Sequence, residues 1–504
     1  MSYTRKALRG AFVSYIFLSL STVAALAIKA VLARGLSVNQ FGLFYAVLAF
    51  VGMFTFLRDL GLSEAQVRFI PGFLHRGQLG RLKGLLCLVL SIQVVSGALF
   101  FLAFSLLATW LSTVYFRNEA AAGIIVLLGL SFLFEGIVEA ISMAFNAAHS
   151  IFLQSSMQFL QLLAVLVVSV LSLDRLGVRA PALGYLLGGL LAVVVYFPLL
   201  HRVTYPFLAK TGIQLSRKDV KEYLGFSIPL VPATAAIDFL YGKLTVALLT
   251  LFGTLSQVAL FSAALTVSKL LRHVFDPIRT VLFPMSAELW EKGRKDRLGE
   301  GISLLYRYAL IVTLPLAGIL IAFPEELLRI LFGEQYTAGI SVLRILGVAM
   351  VLVTYVTILE AVFMGIGQSA LATKQIWAGG IINLAAGLLL IPKYGMLGAA
   401  LTLLLALLGR LALGLASLGR FVRVHSPWDS WLRTTLAAAV FVGIITLLKT
   451  KLALAWWLEA GVALAAASAA YAGLLLLLRV ISKEELETLW RRLRPLEAEA
   501  AQNV

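Results

Sequence analysis

Four charged side chains interrupt an otherwise apolar stretch, Ala264 to Phe283, which reads ALTVSKLLRHVFDPIRTVLF. Lys269, Arg272, Asp276 and Arg279 are spaced three, four and three residues apart. On a continuous helix that spacing confines them to an arc of roughly 80°. The length and composition suit a membrane span, where each charge at the bilayer centre costs on the order of 2.5–3.5 kcal/mol. The stripe must therefore face protein or water. Asp276 can pair with Arg272 or Arg279 along the helix, which leaves a surplus of positive charge. Two chemistries fit. The cations could be static partners of acids on other helices, with Asp238, Glu360 and Asp59 available, or they could line a hydrated cavity for an anionic ligand.

Other polar residues lie in comparable settings. Lys29 sits in the first apolar run, with Thr22 and Tyr15 behind it at helical spacing. Arg58 and Asp59 close the second run in FLRDLGL. Asp238 shares a helical face with Thr234, Tyr241 and Thr245, and Lys243 points about 140° away. A different stripe comprises Glu135, Glu139, Ser142 and Asn146, followed on the next run by Gln154, Gln158 and Gln161. Glu135, Glu139 and Glu360 could bind a coupling proton or sodium ion, or serve as static partners of basic groups. Five scattered histidines offer no metal-ligand spacing. Cys87 reads as a small buried hydrophobe. No nucleotide-binding loop and no nucleophile–histidine–acid constellation is visible, so neither catalytic residues nor a metal are expected.

The elements that must hold these side chains follow from composition. Of 504 residues, 61% are hydrophobic and 13% charged, against about 45–50% and about 25% in soluble domains. Apolar runs long enough to cross a bilayer recur throughout, without the alternating segments of a β-barrel. The chain reads as an all-α polytopic membrane protein of about fourteen spans: 11–33, 41–57, 84–109, 122–144, 151–173, 181–200, 226–252, 258–283, 304–323, 341–363, 371–391, 396–419, 433–449 and 454–478. The first is too long for a signal peptide and reads as retained. The net charge of +17 does not indicate nucleic acid, because the basic residues cluster between spans. With the N-terminus inside, 27 of them fall in cytoplasmic segments and 9 in outer ones, which places both termini in the cytoplasm.

The chain also repeats itself. Gly35 and Gly253, Phe145 and Phe363, Arg175 and Lys393, and Gly177 and Gly395 are all 218 positions apart. A six-span duplication in parallel orientation follows. It gives an N-terminal lobe at 1–210, a second lobe at 211–425, two additional spans at 426–480, and a cytoplasmic helix and tail at 481–504. Ser216 with Asp219, and Ser482 with Glu485, have capping-box spacing at the start of amphipathic segments expected to lie at the membrane surface.

VLARGLSVNQFGLFYAVLAF followed by LRDLGLSEAQVRF resembles the opening of polysaccharide-biosynthesis (O-antigen repeat-unit) flippases. These belong to the multidrug/oligosaccharidyl-lipid/polysaccharide (MOP) exporter superfamily and are related to lipid II flippases. PEELLRILFGEQYTAGISVLRIL is similar to the outer segment before that family's tenth span, and YGMLGAAL to the start of its twelfth. The resemblance implies two six-helix lobes in a V, with alternating access. It implies a substrate in which oligosaccharide is joined through phosphate or pyrophosphate to a polyprenol, flipped from the cytoplasmic to the outer leaflet. Basic residues of the first, second and eighth spans line the cavity in the lipid II flippases. The similar positions here are Lys29, Arg58, Lys269, Arg272 and Arg279, with Asp276, Asp238, Asp59 and Tyr241 as polar or ion-pair partners. No cofactor is implied, and the drive would be a proton, a sodium ion or membrane potential alone. The expected setting is the plasma or inner membrane. The expected partners are the lipid-linked glycan, membrane lipids and other glycan-assembly proteins, with the chain functional as a monomer. A drug/cation antiporter of the same superfamily is the alternative, and a membrane glycan polymerase or ligase a more distant one.

Overall fold

The computed structural model describes residues 3–232, 235, 242–271, 276–424, 428–451, 456–481 and 485. They are mostly helical, joined by short turns and loops, with no strand among the described residues. The chain opens with α1 (Tyr3–Gly35) and α2 (Val38–Gly52). At their junction Ser37 and Gln40 cap each other: the Gln40 N–H donates to Ser37 Oγ at 3.3 Å, and the Ser37 N–H donates to Gln40 Oε1 at 3.1 Å. This satisfies two donors that a helix start leaves open.

The second span is not one rod. It breaks after Gly52 and resumes as the five-residue α3 (Thr55–Asp59). Leu60 and Gly61 then both take left-handed backbone. At Gly61 a Cβ would stand 2.5 Å from the Ser227 carbonyl oxygen, so only glycine fits. This double break carries Arg58 and Asp59 on a single helical turn. There follow α4 (Leu62–His75), α5 (Leu79–Trp110), α6 (Ala120–Ala147), α7 (Ile151–Leu176), α8 (Ala180–Leu199) and α9 (Arg217–Ser227). The buried stripe of α5 is Leu82, Leu85, Leu86 and Val89. Cys87 lies beside it and is half-buried rather than fully buried as expected.

The second half comprises α10 (Leu244–Phe252), α11 (Leu255–Lys269), α12 (Asp276–Glu291), α13 (Lys295–Ala322), α14 (Pro324–Phe332), α15 (Ile340–Gly365), α16 (Ser369–Leu418), α17 (Trp428–Lys451) and α18 (Trp456–Leu477). The eighth span is again broken. Helix α11 stops at Lys269, and α12 begins at Asp276, with Pro277 in its first turn, where a missing N–H is tolerated. The spacing argument for one continuous stripe through 269–279 therefore does not extend over this stretch.

Among the described residues, ten helical stretches are long and apolar enough to cross a membrane. Two of them, Ile151–Thr204 and Ser369–Leu418, run 54 and 50 residues. Fifty residues of helix would reach ~75 Å, more than twice the hydrocarbon thickness of about 30 Å. Each is a hairpin. Gly177 and Gly395 reverse the chain with almost the same backbone, φ 52°, ψ −128° and φ 54°, ψ −127°. Beyond the first turn, Gly184 lies against Val165 and Gly188 against Gln161; beyond the second, Gly398 lies against Leu390. Twelve passes result among the described residues. The expected seventh and eighth spans run through residues 233–241 and 272–275, which are not all described.

The left-handed turns repeat as the sequence does. Gly77 and Gly293, and Arg117 and Gly333, are 216 positions apart; His149 and Gly367, and Gly177 and Gly395, are 218 apart. After the paired Phe145 and Phe363, the Ser150 N–H reaches the Phe145 carbonyl at 2.9 Å and the Gln368 N–H reaches the Phe363 carbonyl at 2.8 Å. Both copies thus close their fourth helix in the same way, the second with two extra residues before it.

The chain forms two compact units. The first comprises Met1–Thr266, Leu328–Val342 and Ile376–Ala406. Its core includes Ile70, Phe73, Leu85, Val89, Ile141 and Phe145. The second comprises Val267–Leu327, Leu343–Gln375 and Leu407–Val504, around Leu298, Ile302, Tyr306, Leu359 and Phe363. Within it, α17 and α18 build a further cluster around Phe441, Ala463, Ala467 and Tyr471. Tyr471 fixes this pair to α13 by donating to the Ile311 carbonyl at 2.9 Å. Lys449 pairs with Glu326 at 2.6 Å and Arg307 with Glu485 at 2.6 Å. In the expected topology the first pair is on the outer side and the second on the cytoplasmic side.

Candidate functional site

The first unit contains a cavity of about 300 Å³. Its charged lining is Arg58 from α3 with Glu135 and Glu139 from α6; Thr55, Ser131 and Tyr185 add hydroxyl groups, and Phe132 and Leu128 apolar walls. The sequence placed Arg58 among substrate cations and the two glutamates among ion-coupling acids. The structure brings all three together.

Arg58 is 3% exposed. One guanidinium nitrogen donates to the Phe132 carbonyl at 2.8 Å, and the other pairs with Glu139 at 2.7 Å. The guanidinium also lies over the Phe132 ring, 4.4 Å from its centre. Its Nε–H has no partner. A buried arginine needs such pairing, because an uncompensated buried charge is strongly destabilising. Glu135, one turn before Glu139, accepts from Gln161 at 2.5 Å. Gly136 lets α6 approach: a Cβ there would meet Gln93 Oε1 at 2.8 Å and Arg58 Cδ at 3.2 Å. The chain break at Leu60–Gly61 thus supplies the arginine, and a helical repeat of four supplies the two acids.

Asp59 does not enter the cavity lining. It accepts from the Ser63 hydroxyl at 2.6 Å and from Gln93 at 2.7 Å. Lys29 donates to the Thr266 hydroxyl and lies 4.7 Å from the Tyr45 ring centre. Lys243, expected to point away, donates to the Gly52 carbonyl at 2.8 Å. Gly52 lines the cavity, but Lys243 itself is not part of the lining. Lys269 is half-buried at the end of α11. Arg272, Asp238 and Tyr241 lie outside the described residues, as do the side chains of Asp276 and Arg279.

Glu360 is elsewhere. In the second unit it forms an ion pair with Arg410 of α16, whose side chain is 1% exposed. Sequence reasoning missed Arg410. The signal was present: it is the one charge in the apolar run Met396–Leu418, where a lone intramembrane arginine calls for a partner.

The profile of a family described as "Polysaccharide biosynthesis protein" matches residues 31–342, more than half of the chain. The chain belongs to that family. It is 29% identical over 417 residues to the uncharacterized membrane protein MJ1068 of Methanocaldococcus jannaschii, covering 80% of this chain and 82% of that one. It is 22% identical to the probable low-salt glycan biosynthesis flippase Agl15 of Haloferax volcanii, over 42% of this chain and 45% of that one. Its fold matches the lipid II flippase MurJ in an inward closed conformation, with a TM-score of 0.73, 14% identity, and coverage of 92% of this chain and 98% of that one. It also matches an inward-facing multidrug resistance MATE family transporter of the MOP superfamily, with a TM-score of 0.65, 15% identity, and coverage of 81% and 97%. With its long apolar helices, this polysaccharide biosynthesis protein is a multi-pass membrane protein whose fold is similar to those of a lipid II flippase and a MATE family transporter.

Proposed function

We propose that this protein flips a polyprenyl-(pyro)phosphate-linked oligosaccharide from the cytoplasmic to the outer leaflet by alternating access between two six-helix lobes. The observation that carries the reading is Arg58, a buried guanidinium lining a cavity with hydroxyl-bearing walls in a member of a polysaccharide biosynthesis family. A phosphate-bearing head group cannot cross hydrocarbon unaided, and fixed guanidinium and ammonium groups replace its hydration. Lys29, Lys269, Arg272 and Arg279 are the further cations of the path. The hydroxyls of Thr55, Ser131 and Tyr185 suit a sugar. The polyprenol stays in lipid, and both termini are cytoplasmic. Of the three acids considered for a coupling ion, Glu135 and Glu139 line the cavity; Glu139 is held by Arg58 as Glu360 is by Arg410, which leaves Glu135 the better placed.

One observation favours a second reading. The cavity lining holds two carboxylates and one guanidinium, a balance that also suits a cation, as in a drug/cation antiporter. Reconstitution decides between them. Liposomes carrying a fluorescent polyprenyl-pyrophosphate oligosaccharide should show it reaching the far leaflet with the native protein. Arg58→Ala and Lys269→Ala, inserted equally, should slow this at least tenfold. Full activity in both variants would remove the cations from the substrate path.

A further inference from the structure

We propose that Asp59 is a positioning residue for Arg58, one that works as a hydrogen-bond acceptor and not as a countercharge: with Gln93 and Ser96 of α5 it clamps the turn that presents the guanidinium to the head group. This rests on the reading of Arg58 as a head-group ligand.

The turn cannot hold itself. Helix α3 has five residues, and so short a helix is not stable in isolation. A break precedes it after Gly52, and the left-handed Leu60 and Gly61 follow it. Its last carbonyls and the first N–H groups of α4 have no partners within their own helices. Gly61 stands at the cap position of α4 and has no side chain to offer. Yet Arg58 is almost wholly buried, so a small rotation of the turn would carry its guanidinium away from Phe132 and Glu139.

Asp59 and α5 supply the missing restraints. Asp59 Oδ1 accepts from the Ser63 N–H at the start of α4 at 3.2 Å, from the Ser63 hydroxyl at 2.6 Å and from the Gln93 amide at 2.7 Å. One carboxylate thereby joins α3, α4 and α5. A turn beyond Gln93, the Ser96 hydroxyl faces two carbonyls, that of Arg58 at 3.0 Å and that of Gln93 at 3.3 Å. The shorter contact is the one to the turn. Gln93 is fully buried and Asp59 nearly so, so water does not compete for these bonds.

Charge is not what the contacts use. All three hydrogen bonds of Asp59 end on Oδ1, none on Oδ2, and Asp59 has no ion-pair partner among the described residues. An amide oxygen accepts the same bonds. Asparagine can therefore do the work of Asp59, and alanine cannot.

Calorimetry tests this with the full-length protein in nanodiscs and farnesyl diphosphate as the head-group probe. Asp59→Ala should weaken binding about tenfold or more, and Asp59→Asn should restore it to within about threefold of native. Arg58→Ala should also weaken binding about tenfold or more, and adding Asp59→Ala to it should change the affinity less than about threefold, because Asp59 acts through Arg58. A general structural loss would show neither the rescue nor this saturation. If Asp59→Asn binds as weakly as Asp59→Ala, the charge is required and the proposal is wrong. If the two alanine losses multiply, Asp59 acts independently of Arg58 and the proposal is again wrong. Gln93→Met removes only one of the three bonds, which keeps the test open if Asp59→Ala does not fold. It should weaken binding about threefold or more, and no loss there would overturn the clamp. Hydrogen exchange across residues 55–66 needs no ligand. Asp59→Ala should speed it about tenfold or more, and Asp59→Asn less than about threefold. If the native protein binds no farnesyl diphosphate, the substrate reading fails and exchange alone decides whether Asp59 clamps the turn; unchanged exchange in Asp59→Ala would show that it does not.

Discussion

The Glu360–Arg410 pair offers the sharpest energetic test, because it sits inside the second unit with side chains 10% and 1% exposed. Replacing Arg410 with leucine leaves Glu360 as an unpaired acid in a low-dielectric interior. Removing one member of such a pair costs about 3–5 kcal/mol, and the middle of that range is roughly a thousandfold change in the folded-to-unfolded ratio. Removing both is different. Each ion has already lost most of its hydration in the folded state, so an apolar replacement of similar volume is often neutral or stabilising. Arg410→Leu should therefore be the worst variant. Glu360→Leu should also be severe, because it strands the arginine. The double variant should recover to within about 1 kcal/mol of the native protein. Unfolding in mixed micelles with increasing sodium dodecyl sulfate, followed by tryptophan fluorescence, reads all four forms. A loss below about 1 kcal/mol for Arg410→Leu, or a double variant as unstable as the worse single one, would refute the reasoning.

Three further outcomes follow from local geometry. At Gly42, a side chain would overlap the Leu255 carbonyl oxygen and meet the Ala259 nitrogen at 3.2 Å. Overpacking of 1–3 kcal/mol should push α2 off α11, so that in Gly42→Val a cysteine at the buried Ala259 is alkylated about tenfold faster or more. An unchanged rate would show that the helices repack. Gly177→Ala should cost about 1–3 kcal/mol in melting experiments through backbone strain alone, because nothing lies within 4 Å of its Cβ position. Gly395→Ala should cost more, since its Cβ would also meet Gln257 at 2.6 Å, and adding Gln257→Ala should remove the excess. Asp219 accepts the Ser216 N–H at 2.9 Å, the Ser216 hydroxyl at 2.7 Å and Arg81 at 2.5 Å, and these hold its carboxyl below the usual range. Its contribution is complete above the ordinary carboxylate value near 4 and disappears as pH falls through the depressed value. Hydrogen exchange in α9 should accelerate below about pH 4. Asp219→Asn should exchange fast at every pH, and a native-like acid profile in that variant would contradict the assignment.

Where the sequence carried a physical signal, it was legible. Apolar length gave the spans, and the paired glycines at 177 and 395 marked two turns that share one backbone geometry. Ser216 and Asp219 form the capping box that their spacing suggests. The breaks were less visible. Nothing in FLRDLGL states that Leu60 would join Gly61 in left-handed backbone, because that depends on the close approach of Ser227. Periodicity also assumes an unbroken helix, and α11 ends at Lys269. The partner of Arg58 was hidden because Glu139 lies 81 positions away, and helical spacing relates only near neighbours. Arg410 was legible as a lone charge in a span, but its pairing with Glu360 is tertiary.

Transport selectivity decides whether this polysaccharide biosynthesis protein moves a lipid-linked glycan, as proposed. Proteoliposomes should be loaded, in parallel, with a polyprenyl-pyrophosphate oligosaccharide or with a fluorescent organic cation of the kind drug antiporters carry. An impermeant lectin or quencher then reports arrival at the opposite side. The glycolipid should move in a protein-dependent way and the cation should not move. Movement of the cation, with the glycolipid remaining in its original leaflet, would contradict the proposal.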